Sequence, residues 1–194
     1  MRPFEIILLT LLGVGTIQIL FGTGKKNQTK LVLKFIFPVL LIHLFLEQYR
    51  WQMFPAYVSI ITLVFLQKNP IHSIIKFLFF IWMCLSVSLP AVIPIIKMPN
   101  LSGPYTVGST IHHWVDESRM EWFTDENPDD TRQIMVQFWY PAVKEKKVKR
   151  TPYVDHINTR TKSIGIAGGF PGFLVKHLKL TKTNSYINLE ADPV

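Results

Sequence analysis

The chain has 194 residues, 48% of them hydrophobic, and a formal net charge of +8, with a mean hydropathy of +0.24. That average is too apolar for an ordinary soluble domain. Before Lys97 eight basic residues face two acidic ones, and from Lys97 on thirteen face eleven. The positive excess therefore sits mostly in the apolar half. No basic groove interleaved with aromatics stands out, which argues against nucleic acid as its cause, and the sequence implies no cofactor.

Four apolar stretches fill the first half. Segment one, Phe4 to Gly22, is long enough to cross a hydrocarbon core of roughly 30 Å. It lacks a small-residue cleavage site before Lys25 and Lys26, so it reads as a retained helix rather than a signal peptide. Segment two, Leu31 to Leu46, carries Lys34 near its start and Pro38 within. Segment three, Met53 to Leu66, is shorter and borrows Trp51 and Gln52 to reach across. Segment four, Ile74 to Ile96, is long, with Pro90 and Pro94 near its end. The expectation is a four-helix transmembrane region over residues 1–97, with segments two and three as a re-entrant pair the alternative. Cys84, the one cysteine, is expected to be a buried structural thiol.

Lysines set the expected orientation. The loops after segments one and three, with their flanks, hold Lys25, Lys26, Lys30, Lys34, Lys68 and Lys76, against Arg2, Arg50 and Lys97 on the other side. Short loops rich in Lys and Arg stay in the cytoplasm, so both termini are expected outside it, in a multi-pass protein of the cell membrane.

Between segments two and three lies a polar group: His43, Glu47, Arg50 and Trp51. On a continuous helix His43 and Glu47 share a face, with Arg50 one turn further. Two readings compete. A proton relay or metal pair is one; the other is an outer-interface cluster in which Glu47 pairs with Arg50 while Tyr49, Trp51 and Tyr57 form an aromatic belt. The interface cluster is favoured, because two metal-capable side chains do not fill a coordination sphere.

Residues 98–194 are polar and strand-like. Pro99 to Pro104 reads as a linker. Tyr105 to Val115 reads as a strand, followed by a charged turn ending in Glu126 to Asp130. Gln133 to Tyr140 alternates with period two, putting Ile134, Val136, Phe138 and Tyr140 on one face, and Pro141 is expected to end it. An antiparallel pair follows from these. Lys144 to Arg150 reads as a solvated basic loop. The glycine-rich Gly165 to Gly172 lacks phosphate-loop spacing, and Phe173 to Leu180 has a short helical pattern. His112 and His113 are adjacent on a strand and so point to opposite faces, poor geometry for one metal.

Pro104-Tyr105-Thr106-Val107-Gly108, the Asp116 to Arg119 element and the run from Arg132 through Trp139-Tyr140-Pro141 resemble the opening strands of platelet-activating-factor acetylhydrolase-like esterases. The stretch from His43 to Tyr57 is similar to the membrane region preceding such domains in some bacterial members. The resemblance implies an α/β-hydrolase fold outside the cytoplasm and serine-dependent cleavage of a short acyl ester, such as one carried by a phospholipid-like substrate. In that family a strand opening on Pro-Val runs into Ser-His-Gly, and a Gly-x-Ser-x-Gly elbow, an Asp and a His follow. Here Pro193 and Val194 are present and those groups are not; Ser102, Ser109, Ser163 and Ser185 have no elbow context. The expectation is an inactive amino-terminal piece of an esterase, from a truncated, frameshifted or split gene. Its 98–194 half would be loosely folded, docked on the helices, or completed by a second chain. The alternative is a non-enzymatic multi-pass protein with a small outer segment that binds lipid or a partner.

Overall fold

The computed structural model describes residues 1–22, 26–68, 72–122, 127, 129–143 and 148–193, with the side chains of residues 26 and 27 left aside. Lys25, Lys26 as a side chain, most of the expected turn before Asp130, the Lys144–Lys147 part of the basic run and Val194 lie outside the described residues. The chain divides into two compact units, Met1–Ile95 and Ile96–Val194.

In the first unit, α1 spans Pro3–Phe21, α2 spans Lys26–Ile42 and runs into a π-turn at His43–Glu47. A 3-10 turn at Trp51–Met53 leads into α3, Phe54–Leu66, and α4 spans Ser73–Val92. Pro3 starts α1 where its missing N–H costs nothing, and Gly22 ends it in the left-handed region at φ 64°. The helices bury Leu8, Leu12, Ile36, Met53 and Leu63 between them, while Phe37, Ile61, Phe65 and Phe77 point outward. A bundle apolar on its outside as well as its inside suits hydrocarbon rather than water. Cys84 is exposed on α4, not buried as expected, because in such a bundle an apolar setting does not imply an interior one. Ser59 and Ser86 join α3 to α4 through a 3.2 Å hydroxyl pair, and Trp82 Nε1 donates to the Pro55 carbonyl at 3.1 Å. Buried hydroxyl contacts of this kind hold helices together where burial alone gives no preference over lipid.

Three helical stretches are long and apolar enough to span a membrane: Pro3–Phe21, Gln28–Glu47 and Ser73–Val92. Three stretches, not the expected four, therefore meet that test of length and composition. Trp51–Leu66 is too short; thirteen residues of α3 rise only about 20 Å at 1.5 Å each.

In the second unit, β1 (Thr106–Met120), β2 (Thr131–Ala142), β3 (Arg150–Pro152) and β4 (Lys182–Ile187) form one sheet in the order β2-β1-β4-β3. Helix α5 covers Ile157–Gly168, and a 3-10 helix covers Gly172–Leu180. The β1–β2 pair is antiparallel, with Thr110 opposite Phe138 and Trp114 opposite Ile134. The sheet goes further than a hairpin, since β4 pairs with β1 in parallel and with β3 antiparallel. Pro141 lies inside β2 instead of ending it. It sits on an edge strand, where no partner needs its N–H, and its carbonyl accepts from Asp192 N at 3.0 Å.

Glycine explains two close approaches here. A Cβ on Gly108 would lie 2.6 Å from the Tyr140 ring, and one on Gly165 would lie 2.6 Å from the Phe170 carbonyl. The glycine-rich stretch is thus a packing device that lets the 3-10 helix fold back on α5. The interior is thin: among the described residues of this unit, the buried apolar side chains are Ala142 and Leu189, and the other buried side chains are hydroxyls and His177, with Gly108 and Gly165 buried beside them.

Candidate functional site

The densest chemistry lies where the start of α1, the end of α2 and the end of α4 meet. Those ends carry backbone groups with no intrahelical partner, and charged side chains satisfy them. Arg50, 2% exposed, donates from Nη1 to the Ile93 carbonyl at 2.7 Å and from Nη2 to the Pro90 carbonyl at 3.1 Å. Both are last-turn acceptors of α4. The same guanidinium forks onto Glu5, Nε to Oε1 at 2.7 Å and Nη2 to Oε2 at 2.9 Å. Glu5 is fully buried and also accepts from Arg2, through the backbone N–H at 2.8 Å and Nη2 at 2.8 Å. Arg2 in turn donates to the Glu47 carbonyl and the Gln48 carbonyl at the end of the α2 stretch. Glu47 accepts the Phe4 N–H of α1 at 3.0 Å. Two arginines therefore cap helix carboxyl ends and two glutamates cap an amino end, each favoured by the local helix dipole. With His43 neutral the cluster's formal charge is zero.

His43, fully buried, bridges Glu47 and Tyr57. Its Nδ1 lies 3.0 Å from Glu47 Oε2 and its Nε2 lies 2.8 Å from the Tyr57 hydroxyl. With Glu47 ionised, the pairing that satisfies every group puts the ring proton on Nδ1, and Tyr57 donates to Nε2. Carboxylate, imidazole and phenol then stand in a line along which a proton can pass. The turn that builds this line is unusual: a π-turn, a form that recurs at functional sites, is followed by Gln48 at φ 61° and ψ 155°. That backbone region is essentially reserved for glycine and costs about 1–3 kcal/mol. Nearby in sequence, Gln52 is fully buried, and its amide atoms have no hydrogen-bond partner among the described residues.

Of the residues singled out from sequence, His43, Glu47 and Arg50 belong to one cluster, and Trp51 opens the adjoining 3-10 turn half-buried. The expected Glu47–Arg50 pair is replaced by Arg50 with Glu5, because the chain leaves the helix at Gln48 and the one-turn relation between the two is lost. Tyr57 hydrogen-bonds to His43 instead of serving only as belt. Arg2 and Glu5 are the members sequence reading missed. The available signal was Glu5 itself, the one acid inside segment one.

In the second unit, His112 packs against Trp114 and Phe138 while His113 bonds Gln133 at 2.9 Å, so the two histidines do use opposite faces. No group of three or more His, Cys, Asp or Glu suited to a metal occurs among the described residues. Ser118 Oγ donates to Asp116 and, aided by Arg119 and Arg132, holds that carboxyl below its usual range. A cleft of about 670 Å³ is lined by Leu101, Val107, Trp139, Tyr153, Ile164 and Leu178, among others.

No protein-family model, curated protein or solved structure matches the chain.

Proposed function

We propose that this chain is a multi-pass membrane anchor carrying the opening part of an α/β-hydrolase-like sheet, and that it belongs to a serine carboxylic ester hydrolase acting outside the cytoplasm. The observation that carries the reading is the change of strand direction at β1. An antiparallel β1–β2 ribbon meets a strand parallel to β1 in a mixed sheet whose other pairing, β3–β4, is antiparallel, and α/β sheets can carry antiparallel edge strands of this kind. The esterase-like residues Pro104 to Gly108 and Arg132 to Pro141 lie in or beside that ribbon. No residue here has the context of the family's nucleophile, base or acid, so the chain alone is assigned no catalysis. Its first partner is the lipid bilayer.

The same reading takes both termini as extracytoplasmic. The start of α1 and the end of α4 share one cluster, which supports an even number of crossings with α3 as a short fourth, accommodated by local thinning of the bilayer. A cysteine at Asn127 in a Cys84→Ser background should then react with an impermeant maleimide on intact cells; labelling only after lysis reverses the orientation.

The enzymatic reading is tested by sequencing the DNA flanking the 194 codons in all frames. Ser-His-Gly and Gly-x-Ser-x-Gly are expected, and neither motif within about a kilobase on either side overturns it. The alternative, a non-enzymatic membrane protein, is favoured by one observation: the cluster at Glu5 and Arg50 is complete within the first unit.

A further inference from the structure

We infer that α5 and the 3-10 helix after it form a docking face for anionic phospholipid headgroups of the membrane in which the chain is anchored. The first observation is how charge is divided within the second unit. Residues 106–142, the β1–β2 ribbon and its turn, carry seven acidic side chains and two basic ones. Residues 156–189, which hold α5, the 3-10 helix and β4, carry five basic side chains and no acidic one. A unit split in this way is drawn to a negative surface by one part and repelled from it by the other, so it meets that surface in one orientation.

The second observation is what lies between the charges. Thr161 and Gly165 of α5 and His177 of the 3-10 helix are buried. On the outward side, Lys162 and Ile166 are four residues apart on one face of α5, and Phe173 and Lys176 are three apart on the 3-10 helix, where such residues eclipse. Lys162, Phe173 and Lys176 line one cleft of about 330 Å³. Ile166 is 74% and Phe173 55% exposed, and both lysines are exposed. Large apolar side chains set between lysines suit the boundary of headgroup and acyl chain, where the amines meet phosphate and the apolar groups leave water. The chain beyond β4 follows the β2 edge, where Asp192 N donates to the Pro141 carbonyl; the lysine face lies on the connection between β3 and β4, not on that edge.

The third observation is the tether. Residues 93–105 join the end of α4 at Val92 to the start of β1 at Thr106, and a connection of that length spans at most about 45 Å. Headgroups are thereby held at high effective concentration around the unit, which favours lipid over a soluble acidic partner. The inference rests on the membrane-anchor reading and not on the esterase one.

The test uses the full chain in a Cys84→Ser background, reconstituted into phosphatidylcholine vesicles with or without about 30% phosphatidylglycerol. Ile166→Cys carries an environment-sensitive fluorophore, and brominated acyl chains in the lipid quench it on contact. Quenching should be about threefold or more stronger in the anionic vesicles than in the neutral ones, and about 0.5 M salt should remove most of that difference. The same fluorophore at Val115→Cys, an exposed position on β1, should be quenched weakly in both. Lys162→Glu with Lys176→Glu should bring quenching at Ile166 down to the neutral-vesicle level, whereas Lys162→Arg with Lys176→Arg should preserve it. Equal quenching in the two vesicles, equal quenching at Val115 and Ile166, or indifference to charge reversal each overturns the inference. Shielding of Ile166 that appears only when an acidic polypeptide or RNA is added overturns it too. A chain that carbonate washing strips from the vesicles sinks the anchor reading and the inference with it; a chain that stays embedded with Ile166 in water sinks the docking face alone.

Discussion

Arg50 is the residue on which the first unit's polar chemistry turns. Its guanidinium meets both Glu5 oxygens and two carbonyls at the end of α4. Removing one partner of a buried ion pair leaves the other uncompensated, at about 3–5 kcal/mol. Arg50→Ala should therefore lower stability by that order in a detergent-denaturation titration of the full chain. Glu5→Leu with Arg50→Met should recover at least half of the loss, since no buried charge is then left alone; equal losses for single and double variants would show that carbonyl capping dominates. The partnership was not legible in sequence. Periodicity relates residues a turn apart, whereas Glu5 and Arg50 are joined only by the packing of α1 against the turn after α2.

At the scale of elements, local pattern was informative where one physical rule dominated. The period-two run from Gln133 to Tyr140 and the β-branched run after Tyr105 became an antiparallel pair, because alternating burial leaves a strand few other options. Helix α5 was not anticipated, since Thr159, Thr161, Ile164 and two glycines give Ile157–Gly168 a weak propensity. Its place comes from contact with the 3-10 helix at Gly165 and Gly172. Gly165→Ala should cost about 1–3 kcal/mol, the usual penalty for forcing atoms into a packed contact, because the new methyl meets the Phe170 carbonyl and the Gly172 amide. Amide exchange across α5 would read this out, and protection unchanged from the parent chain would mean that the two helices separate freely.

For the whole molecule, the two units differ in how well each is filled. The buried apolar cluster belongs to the first unit, whereas the second encloses two buried apolar side chains among its described residues. A domain of about a hundred residues with so little apolar burial is marginal. The fragment Met98–Val194 alone should lack a cooperative thermal transition by calorimetry, while the full chain in detergent keeps its helical signal. A sharp, reversible melt of the fragment would contradict the thin interior described above.

The amino-acid sequence by itself determined the two-part character of the chain, its membrane-compatible helices and the β1–β2 pair, because hydropathy and side-chain alternation act over a few residues. Only the tertiary structure decided that Glu5 and not Glu47 holds Arg50, that one apolar stretch falls short of a span, and that β4 joins β1 in parallel. Each of these depends on groups far apart in the chain meeting after the turns are formed. The glycine-poor turn at Gln48, where helix and sequence spacing part company, is the place at which local rules stopped being enough.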